Sequence, residues 1–159
     1  MRKILGIFVA LMLAALLPAS AFSQDAAQTA RALESEQKNT TNLHYDDYFG
    51  TQVEYLSSRN KAYLWFPGNS VIVPGEWMIL VSTSNPSAPP LMCFKYPTNS
   101  YNPATGERGG NWECRPLPEY LGTLKEQVSG DLFHLARSQH VPFVLSKEPA
   151  TLQQLKDSM

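Results

Sequence analysis

Lys61-Ala62-Tyr63-Leu64-Trp65-Phe66-Pro67-Gly68-Asn69 begins, and Asn111-Trp112-Glu113-Cys114-Arg115-Pro116 ends, the stretch on which the reading of this 159-residue chain turns. It holds all three tryptophans (Trp65, Trp77, Trp112) and both cysteines (Cys93, Cys114). Short apolar runs separated by proline, glycine and asparagine are the pattern of antiparallel strands joined by turns. In Ala62 to Phe66, residues Ala62, Leu64 and Phe66 face one way and Tyr63 and Trp65 the other, so both faces of the strand carry apolar area. Pro67-Gly68-Asn69 is a turn, Val71 to Val73 a short β-branched strand, and Pro74-Gly75 a second turn. Glu76 to Ser82 follows as a strand with Trp77, Ile79 and Val81 on one face. Leu91 to Tyr96 and Asn111 to Arg115 complete the set. Between them Pro97 to Gly110 is a long polar loop, of the kind that inside a compact domain is functional or mobile.

Working outward, Thr51 to Leu56 reads as a strand joined to Ala62 to Phe66 by a hairpin turn at Arg59-Asn60. Ahead of it, Leu43 to Gly50 reads as a turn or a single helical turn. On the other side, Tyr120, Leu121, Leu124 and Val128 recur at helical spacing, which predicts a short helix over Glu119 to Val128 with Pro118 near its start. Asp131 to Arg137 and Val141 to Leu145 suit a final hairpin, the first also suiting a helix. The fold class expected is mainly β: an antiparallel meander, small barrel or sandwich, with one short helix after the last central strand.

The N-terminus predicts export. Arg2 and Lys3 precede an apolar run from Ile4 to Leu17 and then Pro18-Ala19-Ser20-Ala21-Phe22-Ser23, which is the layout of a secretory signal peptide over residues 1–23. The run is shorter than the roughly 20 residues that cross a bilayer. Cleavage follows Ala21 or Ser23. Residues 24–42, rich in alanine, glutamine and charge, read as a polar arm that is a frayed helix or disordered, because Leu33 is their only large apolar residue. Residues 43–146 then form a single β-rich domain, and residues 147–159 a polar C-terminal tail. Without Arg2 and Lys3 the basic count drops from 13 to 11 against 14 acids, so the formal charge moves from −1 to −3. A mildly acidic chain with no basic block argues against nucleic acid and against an anionic membrane surface as partners.

Two cysteines on strands of an exported chain favour one disulfide, Cys93 to Cys114. Closing a loop of about 20 residues contributes on the order of 3 kcal/mol. The pair lacks the close spacing of a redox dithiol.

Gly75-Glu76-Trp77, Cys93-Phe94-Lys95-Tyr96, Trp112-Glu113-Cys114, Gly130-Asp131 and Pro142-Phe143 together resemble a family of small exported proteobacterial proteins of unknown function, over about Gly50 to Leu145. The resemblance implies a Gram-negative periplasmic location and a compact β-rich domain, and supplies no activity, substrate or catalytic residue.

No catalytic or ligand motif stands out. His44, Asp46 and Asp47 form a cluster that could hold a divalent ion, but a metal site needs three or four ligands at fixed spacing and no metal is assigned. His134 and His140 flank the expected last hairpin. Glu54, Glu76 and Glu113 lie on strands and could pair as acid and base if the fold brings them to one cleft. The expectation is a periplasmic or secreted, disulfide-bonded, non-catalytic binding or interaction module without a cofactor, taking a small apolar ligand or another envelope protein. The alternative is a small periplasmic hydrolase using histidine, aspartate and glutamate. For a binding rim the candidates are Tyr63, Trp65, Asn69, Asn99, Tyr101 and Asn102, since loops on a rigid scaffold carry function more often than their share.

Overall fold

The computed structural model describes residues 20–101 and 108–159, with the backbone alone for residues 20–23. Apart from residues 20–23, the expected signal peptide lies outside the described residues, as does the middle of the Pro97 to Gly110 loop. The described chain is built on one antiparallel sheet of seven strands, curled into a half-barrel, in the order β6-β5-β4-β3-β2-β1-β7. The strands are β1 (Thr40–Asp46), β2 (Gly50–Leu56), β3 (Lys61–Trp65), β4 (Val73–Leu80), β5 (Leu91–Lys95), β6 (Glu113–Pro116) and β7 (Leu124–Ser129). Helix α1 (Ser20–Gln37) precedes them, α2 (Leu117–Thr123) joins β6 to β7, and α3 (Leu152–Asp157) lies near the C-terminus.

The expected mainly β fold is what the structure shows, and the strands from β2 to β6 follow the sequence reading closely. The β2 to β3 hairpin turns at Asn60, whose φ of 58° suits an asparagine better than a bulkier residue. Pro74-Gly75, read as a turn, instead lies inside β4 and pairs with Tyr63 and Ala62. Gly75 is required there, because a Cβ would stand 2.7 Å from the Tyr96 ring. The β1 to β2 turn is held by the Asp46 carboxylate, which accepts the Tyr48 N–H (2.9 Å) and the Phe49 N–H (2.7 Å). Gly50 closes it at φ 79° against the Lys147 backbone.

Three regions differ from the sequence reading. Leu43 to Gly50, expected as a turn or a single helical turn, is mostly strand: β1 begins already at Thr40 and is an inner strand, paired with both β2 and β7. Glu119 to Val128, expected as one helix, is divided between α2 and β7. Pairing with β1 offers Leu124 to Ser129 a full ladder, and tertiary pairing overrides the weak helical period. No strand forms at Val141 to Leu145, and Asp131 to Arg137 is a series of turns in which the Asp131 carboxylate accepts the Leu135 and Ala136 N–H groups (2.8 and 2.9 Å).

The connection through α2 measures how far the sheet curls. Its seven residues follow directly on β6 and lead directly into β7. At 1.5 Å per residue they span only about 10 Å, so the two sheet edges lie that close, with the helix as a bridge between them.

Strand alternation then defines two faces. The outer face carries Leu43, Val53, Tyr55 and Trp65, buried by Phe133, Leu135, Leu145, Leu152 and Leu155 of the C-terminal segment. That segment is also stitched down by hydrogen bonds: Thr41 Oγ1 to the Gly130 carbonyl (2.6 Å), Thr51 Oγ1 to the Glu148 carbonyl (2.6 Å) and Trp65 Nε1 to the Phe143 carbonyl (2.9 Å). Residues 147–159, read as a polar tail, thus supply Leu152 and Leu155 to the core, with α3 started by a capping box at Thr151 and Gln154.

One end of the inner face is filled by a second core of Leu56, Ala62, Trp77, Ile79, Met92, Leu117 and Tyr120, with Leu33 of α1 packed against it. Residues 24–42, read as an arm, are therefore joined to the domain. Their anchors are mostly polar: the Glu34 carboxylate accepts the Ile79 N–H (3.2 Å) on the part of β4 that lies past Lys61, the first residue of β3, and the Gln37 side chain accepts from Gln127 Nε2 (3.2 Å). The Cys93–Cys114 disulfide ties edge strand β6 to β5 across directly opposed residues, with Cα atoms 4.1 Å apart.

Candidate functional site

The other end of the inner face is open. The register places His44 beside Gln52, Glu54 beside Leu64, Leu64 beside Val73, and Phe94 beside Glu113, all on that face. Together with α2 and the stem of the Pro97 to Gly110 loop they enclose a cavity of about 430 Å³. Its apolar wall comes from Leu64, Phe66, Val73 and Phe94, and its polar floor from His44, Glu54, Tyr96, Arg115 and Tyr120.

Glu54 is the centre of the floor. It is 4 % exposed. Oε1 accepts the Tyr96 hydroxyl (3.1 Å) and Oε2 the Tyr120 hydroxyl (3.1 Å). Tyr120 is in turn held by Asn42 Nδ2 (3.0 Å), and Asn42 Oδ1 accepts Gln127 Nε2 (2.9 Å). A chain of donors thus runs from β7 through β1 and α2 to one carboxylate. Burial pushes the Glu54 carboxyl up to about 7, with the two tyrosine hydrogen bonds and the positive charge of Arg115 opposing the rise. Burial, and then the neighbouring Glu54 charge, raise both tyrosine hydroxyls well above their ordinary value.

His44 lies beside it, its ring 4.6 Å from that of Tyr120 and tilted by 53°. A register shift between β1 and β7 falls at Leu43/His44, so that His44 faces Leu124 and the next pair along is Leu43 with Glu126. Bulges of this sort re-aim side chains near sites. His44 Nδ1 is 3.0 Å from Thr123 Oγ1, and that hydroxyl donates its single hydrogen to the Tyr120 carbonyl (3.0 Å). The imidazole must then donate from Nδ1, which leaves Nε2 as a bare acceptor. Nε2 is buried and meets no partner among the described residues. Burial, and secondly the charge of Arg115, hold the His44 pKa down to about 3, so the ring is neutral. Arg115 itself lies with Cζ 5.0 Å from the centroid of the Tyr120 ring.

The candidate rim residues fall on different parts of the molecule. Tyr101 lines the cavity mouth. Trp65 is in the outer-face core, edge-on to Phe133 and Phe143. Tyr63 is also on the outer face, stacked on Tyr55 and bordering a shallow surface groove with Glu76 and Lys95. Asn69 sits in the turn after β3, where its N–H donates to the Phe66 carbonyl (3.3 Å), and Asn99 is an exposed loop residue. Asn102 lies outside the described residues.

Of the glutamates, Glu54 and Glu113 line the cavity, whereas Glu76 points outward to Lys61 (2.7 Å). Asp47 accepts from the Tyr45 hydroxyl (3.1 Å). His134 and His140 are both exposed, and no hydrogen bond joins them. Among the described residues, no group of three or more histidine, cysteine, aspartate or glutamate side chains could hold a metal ion. Sequence reasoning did not assign roles to Arg115, Tyr120, Thr123 or Asn42. The available signal was a carboxylate at an inward strand position, Glu54, which needs donors from elsewhere in the chain if it is buried.

No protein-family model, curated protein or solved structure matches the chain.

Proposed function

We propose that this is a non-catalytic ligand-binding module that receives a small, partly apolar molecule in the inner-face cavity. The observation that carries the reading is the cavity itself. Its volume falls within the range of about 300–1,000 Å³ typical of small-molecule sites, and it pairs an apolar wall with a few fixed polar groups. The walls are strands and a bridging helix, which hold those groups in place without a ligand.

A small hydrolase is the competing reading. It needs a histidine and a carboxylate in hydrogen-bond contact. Although His44, Asp46 and Glu54 border one cavity, each is engaged elsewhere: His44 with Thr123, Asp46 with turn amides, Glu54 with two tyrosines. A histidine held neutral with Nδ1 fixed to a threonine also lacks the carboxylate that would stabilise an imidazolium.

The site of action we infer is outside the cytoplasm, in the periplasm or secreted. The signal-like N-terminus and the resemblance to small exported proteobacterial proteins support it. The Cys93–Cys114 disulfide is consistent with an oxidising compartment, and no helix among the described residues is long and apolar enough to cross a membrane.

The test has two parts. Native mass spectrometry of protein purified from the periplasm should show a small molecule that is lost on denaturation. Titration with a neutral naphthylamine dye should give saturable fluorescence that Leu64→Trp, which fills the cavity, abolishes without unfolding the sheet. Protein that carries no ligand and takes up no dye would overturn the reading.

A further inference from the structure

Glu54 and Arg115 border the cavity floor without pairing with each other, while Asp46, Glu113 and Lys147 also line the cavity. Glu54 approaches the hydroxyl end of Tyr120, while Arg115 lies over the face of the same ring. The ion pairs among the described residues are Lys38–Glu34 and Lys61–Glu76, so neither Glu54 nor Arg115 is in one. Arg115 is half-buried and is in contact with a ring that offers no lone pair. Its guanidinium retains a planar fork of donors suited to a carboxylate. Glu54 has taken two hydroxyl donors but has lone pairs left, since a carboxylate accepts about four hydrogen bonds. His44, 6 % exposed, lines the same cavity, and its bare Nε2 is a buried acceptor for which no described residue provides a donor.

Resting on the binding reading above, we propose that the ligand is a zwitterion: a free amino acid with an aromatic or branched side chain. Its ammonium is received by Glu54 with His44 Nε2 as the second acceptor, its carboxylate by Arg115, and its side chain by Leu64, Phe66, Val73 and Phe94. Charge complementarity selects this class over its simpler relatives. An amine without a carboxylate would bring a second cation to a site where Arg115 is already unpaired, and an acid without an amine would meet Glu54. Either leaves one partly desolvated charge uncompensated, which is costly, whereas a zwitterion pairs both. Burial raises the Glu54 pKa to about 7, so above that pH an arriving ammonium finds a carboxylate, and the ammonium's own charge favours that form.

The experiment is calorimetric titration of the intact protein, above pH of about 7, with three probes that share one body: phenylalanine, phenethylamine and phenylpropionate. Phenylalanine should bind at least about tenfold more tightly than either analogue, the effect of one charge-assisted contact. Glu54→Gln should weaken phenylalanine by about tenfold, weaken phenethylamine likewise, and tighten phenylpropionate, which no longer meets the Glu54 charge. Arg115→Met should do the reverse, weakening phenylalanine and phenylpropionate and tightening phenethylamine. The three-probe comparison on the unaltered protein decides the matter even if a variant does not fold. If either single-charge probe matches phenylalanine, or if none of the three binds while the neutral naphthylamine dye does, the zwitterion assignment fails and the cavity reading stands. If the dye also fails to bind, both fall together.

Discussion

On the outer face of the sheet, Leu43, Val53 and Trp65 are covered by a C-terminal segment that hydrogen bonds from Thr41, Thr51 and Trp65 fasten down. On the inner face, α1 and α2 cover only one end, and the other end exposes a buried acid, a neutral histidine and an unpaired arginine to a cavity. The same strands build both faces, because alternate residues of β1 to β3 point opposite ways. Among the described residues the outer face leaves no buried side-chain polar atom without a partner, whereas the inner face leaves His44 Nε2 and Trp77 Nε1. That division is the expected arrangement where a rigid scaffold supports a site.

The comparison breaks most severely at Trp65. Trp65→Ala should lower unfolding free energy by about 3–5 kcal/mol, since it leaves a large cavity between Phe133 and Phe143 and strips the Phe143 carbonyl of its donor. Denaturant titration measures the loss. Dye affinity of the protein that remains folded should be unchanged, because the indole lies on the far face from the cavity. A matching loss of affinity would show that the two faces are not independent.

The disulfide should separate the faces in the opposite direction. Cys93→Ala with Cys114→Ala opens a loop of 21 residues' separation and should cost about 3 kcal/mol in the same titration. The damage should be local: β6 is an edge strand, carries Arg115 and leads straight into α2. Amide hydrogen exchange should therefore quicken in β6 and α2 while β1 to β3 keep their protection. Uniform acceleration would mean that the cross-link stabilises the sheet as a whole and not the inner wall.

What the sequence disclosed follows the same division. From Thr51 to Arg115 the strands are short apolar-rich runs punctuated by proline, glycine and asparagine, and they were legible. Strand β1 was not, because Thr40, Thr41, Asn42 and His44 are buried polar residues whose partners, Gln37, Gly130, Tyr120 and Thr123, are mostly far along the chain. Strand β7 was hidden by the spacing of Leu121, Leu124 and Val128, which fits a helix until β1 is there to pair with. The aromatic residues marked the domain, but choosing Tyr63 and Trp65 for a rim required knowing the parity of β3. Only the register, with Val53 opposite Trp65 and Glu54 opposite Leu64, sends the tryptophan outward and the glutamate in.

Acid and base on the inner face should oppose each other in the pH dependence of stability. Glu54 keeps its proton in the folded protein from about 4.5 up to about 7, where the unfolded chain has lost it. Its contribution is therefore full below that window and lost as pH rises through it. His44 behaves inversely: the unfolded chain protonates it below 6.5 and the folded protein not until about 3, so its contribution is full above 6.5 and lost as pH falls. Each slope is about 1.4 kcal/mol per pH unit, and where the windows overlap they cancel to a plateau. Glu54→Gln should replace the plateau by stability that rises with pH up to 6.5. Urea titrations over a pH series test this, and parallel profiles for the variant and the unaltered protein would show that Glu54 titrates as an ordinary carboxylate.

The smallest effect belongs to Thr123, and it probes how the inner face is organised more than how firmly. Thr123→Val removes the acceptor of His44 Nδ1, and a buried N–H left without a partner would cost about 1–3 kcal/mol. The imidazole can escape most of that cost by moving its proton to Nε2, so the stability loss should be at the low end, about 1 kcal/mol. The move has a consequence for binding that stability does not register. Nε2 changes from acceptor to donor, and phenylalanine affinity should fall while phenylpropionate affinity does not. Imidazole nitrogen NMR should find Nδ1 protonated in the unaltered protein and the proton shifted to Nε2 in the variant. The same tautomer in both would mean that Thr123 does not set it, and that the bare acceptor at the cavity floor has another cause.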